Sequence, residues 1–97
     1  MMSKIGTKIG KNVYIAENCS IGLCDIANEV TIHRGALIEH GVRIASGAKI
    51  GAGSIIGSKA KIGKNARLGE GVIVETEVSV KPNTYFPAGS IIKTKKK

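Results

Sequence analysis

Aromatic residues are nearly missing from this chain: Tyr14, Tyr85 and Phe86 are all it has in 97 residues. Their scarcity argues against a nucleic-acid partner, because such surfaces interleave positive charge with rings on which bases stack. The net charge of +8 has a simpler source, since half of it belongs to Lys93, Lys95, Lys96 and Lys97 at one end. Cysteine is limited to Cys19 and Cys24 and histidine to His33 and His40. The two thiols read as buried side chains, not as a disulfide or metal ligands, and demand no oxidising compartment. No continuous apolar run approaches the length of a membrane span or the apolar part of a signal peptide. A soluble, cytoplasmic protein with no membrane partner is therefore expected. A chain of this length forms one domain and buries only about 60 to 65 % of its unfolded surface, so association of subunits is the expected remedy.

What the chain does have is a ruler. An aliphatic or aromatic anchor recurs every six residues at Ile26, Ile32, Ile38, Ile44, Ile50, Ile56, Ile62, Leu68, Val74, Val80, Phe86 and Ile92. Upstream the anchors are Ile9, Ile15 and Ile21, and one residue is lost before Ile26, within Gly22-Leu-Cys-Asp25. Two positions before each anchor stands a small or β-branched residue such as Val30, Ala36, Val42, Ala48 or Ser54. Residues two apart share one face of a strand, so each unit offers one large and one small inward side chain. Three positions after the anchors stand Asn12, Asn18, Gly35, Gly41, Gly47, Gly53, Asn65, Gly71, Asn83 and Gly89, with Glu29, Lys59 and Glu77 as exceptions. Gly and Asn tolerate positive φ best, which marks this as the turn position.

Short strand and sharp turn repeated at six residues is the hexapeptide pattern of parallel β-helices, whose stacked coils bury a core that no single repeat could bury. Over nearly its full length the chain resembles the hexapeptide-repeat acyltransferase superfamily. The resemblance implies an all-β, single-stranded left-handed parallel β-helix, usually homotrimeric. Three units per coil give about five three-sided coils with no inserted loops, so any site must be built from coils and termini alone. Residues 1–4 are expected to fray, 5–94 to form the β-helix and 95–97 to be a lysine tail, with Ile5 helping to cover the open top of the core.

The residue before each anchor points outward and can be read face by face. Lys8, Asp25, Arg43, Lys61 and Ser79 on the first face, and Tyr14, Thr31, Lys49, Arg67 and Tyr85 on the second, look solvated. The third face carries Ser20, then Leu37, Ile55, Ile73 and Ile91. Four stacked aliphatics pointing away from the core mark an interaction surface, read here as the subunit interface.

His40 stands two residues after Ile38, at the corner beside that apolar face. The run Ile38-Glu-His-Gly-Val-Arg-Ile44 resembles the catalytic segment of lipid A pathway acyltransferases, and Val30-Thr-Ile-His-Arg-Gly-Ala36 resembles another of their segments. The resemblance implies that His40 is a general base, taking a proton from an acceptor hydroxyl or amine as it attacks a thioester. Acyl-coenzyme A or an acyl carrier would then be the co-substrate, with no tightly bound cofactor. Lys59, Lys61, Lys64, Lys81 and Lys93 are the cations available to its phosphates. In the other reading these are ordinary surface lysines, His40 is a solvated corner, and the protein is a non-catalytic trimeric scaffold. The coil neighbour of His40 is Ser58, and His33 stacks on Gly51, Gly69 and Pro87, which offer it no partner.

A third reading comes from Val80-Lys-Pro-Asn-Thr-Tyr-Phe-Pro-Ala-Gly-Ser-Ile-Ile92, which resembles the final coil of γ-class carbonic anhydrases. Those enzymes hold zinc with three histidines, and here only His40 falls on a ligand position, with Ala45 where its pair would stand. No metal site is expected, since a catalytic zinc normally takes three protein ligands.

Overall fold

A computed structural model of the chain describes residues 8–93. The expectations for the frayed start, for Ile5 as a cap and for the lysine tail fall outside the described residues. Among the described residues there are fifteen two-residue strands, each made of the outward residue and its anchor, from Lys8–Ile9 to Ile91–Ile92, and no helix. They form three five-stranded parallel sheets, one for each side of a prism. The first sheet runs through Lys8, Asp25, Arg43, Lys61 and Ser79 in register, the second through Tyr14, Thr31, Lys49, Arg67 and Tyr85. The third runs through Ser20, Leu37, Ile55, Ile73 and Ile91.

All thirteen turn positions adopt positive φ. Glycine and asparagine do so readily, but Glu29, Lys59 and Glu77 are held there too, at φ of 61°, 62° and 64°. The coil period thus overrides the steric preference of a residue with a Cβ, which costs about 1 to 2 kcal/mol in this region. Turn amides are satisfied between coils: Gly53 N–H donates to Arg34 O at 3.0 Å and Glu77 N–H to Ser58 O at 2.9 Å. The missing residue shows in the register, because partners such as Lys8 and Asp25 or Tyr14 and Thr31 lie 17 apart, whereas later rungs such as Asp25 and Arg43 lie 18 apart.

The core is a column of anchors, with Ile32, Ile38, Ile44, Ile50, Ile56 and Ile62 fully buried. Burying each such side chain stabilises by about 1.5 to 3 kcal/mol. Alanine, valine and cysteine at the small position fill the corners between them. Ser54, the one buried polar residue of this set, donates its hydroxyl to Gly69 O at 3.0 Å. Cys24 is buried, Cys19 is half-buried with its Sγ donating to His33 O at 3.2 Å, and both are free thiols. At the second corner the residue after the anchor donates its amide to the next coil, as Ala16 does to Ile32, His33 to Ile50 and Gly69 to Phe86. In the last coil that position is Pro87, which has no N–H.

Candidate functional site

The third face and its first corner bring together the apolar ladder and His40. Leu37 and Ile73 are half-buried, Ile55 is 36 % exposed and Ile91 56 % exposed. These four rungs are consecutive in one sheet, so their exposed aliphatic surface is contiguous. At the ladder's lower end a shallow recess of about 320 Å³ is lined by Ser20, Gly22, Leu37, Glu39 and His40 among others.

His40 is exposed, and its Nδ1 accepts a hydrogen bond from the Leu23 backbone N–H at 3.1 Å. Leu23 stands directly below His40 at the 17-residue offset that separates the first coil from the second. Gly22 makes room for the ring: a Cβ there would lie 2.6 Å from Nδ1. A neutral imidazole whose Nδ1 accepts carries its proton on Nε2. In this arrangement His40 offers a donor, and taking up a substrate proton at Nε2 would require the opposite tautomer. Ser58 does not serve His40; its hydroxyl donates to Glu39 Oε1 at 3.0 Å, so Glu39 and Ser58 satisfy each other.

The five lysines do not form one cluster. Lys61 points from the first face, where it borders a recess with Lys8, Asp25 and Arg43. Lys59 occupies a turn at positive φ. Lys64 and Lys81 follow first-face anchors, and Lys93 follows the last third-face anchor. Among the described residues no three His, Cys, Asp or Glu side chains are grouped so as to hold a metal ion.

His33 is exposed at its corner. Its corner neighbours are indeed glycines, but across the second face it borders a recess of about 380 Å³ shared with Lys49, Arg67, Glu70 and Tyr85. Reading each corner along the stack hides this grouping, because the recess is shared between that corner and the second-face rungs. The signal available was the run Lys49, Arg67, Tyr85 on successive rungs beside the side-chain-free corner of Gly51 and Gly69.

Against known families, residues 3–97 match the model of the GMPPB C-terminal domain. The chain belongs to that family. A GMPPB C-terminal domain is a nucleotidyltransferase-related hexapeptide-repeat domain of left-handed β-helix type, which agrees with the superfamily read from the six-residue ruler. The match does not extend to the acyltransferase or carbonic anhydrase likenesses. No curated protein matches the chain significantly. Among the described residues, no helix is long and apolar enough to cross a membrane.

Proposed function

We propose that the chain is an assembly module whose copies associate through the third face into a homotrimer. The observation that carries the reading is the in-register ladder of Leu37, Ile55, Ile73 and Ile91, exposed on one side of a prism whose other two sides carry charged and polar rungs. Covering an aliphatic side chain contributes about 1.5 to 3 kcal/mol, and a small single domain gains most from such association. Free thiols at Cys19 and Cys24 suit a reducing compartment such as the cytoplasm. Light scattering tests the reading: the native chain should have three times the monomer mass, and the double substitution Ile55→Lys, Ile73→Lys should reduce it to a monomer. A native chain that is monomeric at micromolar concentration overturns it.

Acyl transfer is the second reading, favoured by the recess that joins His40 to the ladder. It requires an acyl-coenzyme A or acyl carrier beside His40 and a tautomer change that gives up the Leu23 bond. Titrating the same native sample with acetyl-coenzyme A separates the two, since an assembly module without catalysis takes up none.

A further inference from the structure

The geometry points to a second binding site, on the second face, for a phosphomonoester carried on a flat ring. Lys49, Arg67 and Tyr85 stand directly above one another on successive rungs. Neighbouring strands are about 4.8 Å apart, so two cations are stacked at close range, an arrangement that disfavours itself on adjacent strands. A bound dianion removes that repulsion. Arg67 presents a planar fork that matches two phosphate oxygens, and Lys49 adds a compact charge.

The recess lies beside two glycines of the adjoining corner, Gly51 and Gly69. A Cβ on Gly51 would collide with Gly69 O, and one on Gly69 would lie 2.6 Å from Ala88 N. The close approach of the coils therefore demands glycine at both levels, and the hollow they border measures about 380 Å³. That volume lies at the lower end of what small-molecule sites enclose. His33 closes the bottom, Tyr85 the top, and Glu70 is the one carboxylate in the lining, against two fixed cations.

Tyr85 supplies the ring specificity. It is 64 % exposed, although the chain has only three aromatics and the adjoining Phe86 packs against the core. Its face is free to stack on a flat heterocycle, an interaction tolerant of ring identity. Glu70 is placed to accept from a hydroxyl or amino group of the ligand. The site lies on a different face from the apolar ladder, so it stands or falls independently of the assembly reading.

Adenosine monophosphate serves as the probe, with adenosine and inorganic phosphate as its two halves. In a titration of the native protein followed by amide NMR, the monophosphate should saturate at millimolar or lower concentration and shift the Gly51 and Gly69 amides. Each half alone should bind more weakly. Lys49→Gln with Arg67→Gln should abolish saturation, and Tyr85→Ala should weaken it about tenfold, the scale of one lost stack. All three residues are exposed, and an unchanged amide spectrum away from the recess establishes that the variants fold. Absence of saturable binding, binding unaffected by the double substitution, or phosphate alone binding as tightly as the monophosphate would each overturn the proposal.

Discussion

Cys24 shows what the small inward position asks of a side chain. Burial pushes its thiol pKa up, and the nearby Asp25 carboxylate pushes it further in the same direction. The folded state thus favours the neutral thiol, so this contribution to stability is complete below the ordinary thiol range and is lost as pH rises through the raised folded value. Raising the pH from about 8 to about 10, across the ordinary thiol pKa, should lower the unfolding free energy of the native protein, and Cys24→Ala should remove that part of the slope. Denaturant titrations at the two pH values check this; equal slopes in both proteins would refute it. His40 is a residue-scale lesson of another kind, because its chemistry is decided by one backbone N–H. With Leu23 donating to Nδ1 at 3.1 Å, the ring is a hydrogen-bond donor at Nε2 in its neutral form.

At the scale of the six-residue unit, the turn is where sequence and backbone pull against each other. Glu77 holds φ of 64°, whereas Gly53 holds 71° with open space where a Cβ would go. Glu77→Gly should therefore stabilise the domain by a few tenths to about 1 kcal/mol, and Gly53→Ala should destabilise it by about 1 kcal/mol, strain being partly offset by unfolded-chain entropy. Opposite shifts in the denaturation midpoint check the pair. The unit was legible because its period repeats fifteen times: the anchors, the faces, the odd turns at Glu29, Lys59 and Glu77, and the 17-residue offset all follow from counting. Counting assigns each residue a rung and a face. It does not say which neighbours a side chain meets, which is why the Glu39–Ser58 pair and the recess shared by His33, Arg67 and Tyr85 emerged only in three dimensions. The Leu23 contact was within reach, since the lost residue sets the offset behind His40 at 17.

For the molecule as a whole, each coil touches only the coils above and below it, as in other solenoids. The middle coils have their anchors fully enclosed, whereas Ile9 in the first coil is 50 % exposed. Native-state hydrogen exchange should consequently show the amides of Arg43, Lys49 and Ile55 as the slowest and those of the outermost coils as the fastest, and a flat profile would contradict this nearest-neighbour picture. Pro87 gives the stack a direction of another sort. In lower coils the equivalent residue hands an amide upward to the next coil, as Gly69 does to Phe86. A strand arriving above this coil finds one donor missing from the second sheet, and each donor lost makes an edge a poorer template. The same period that makes the prism easy to build would, if left open, make it easy to continue, and one imino acid at the final corner works against the domain seeding a fibril.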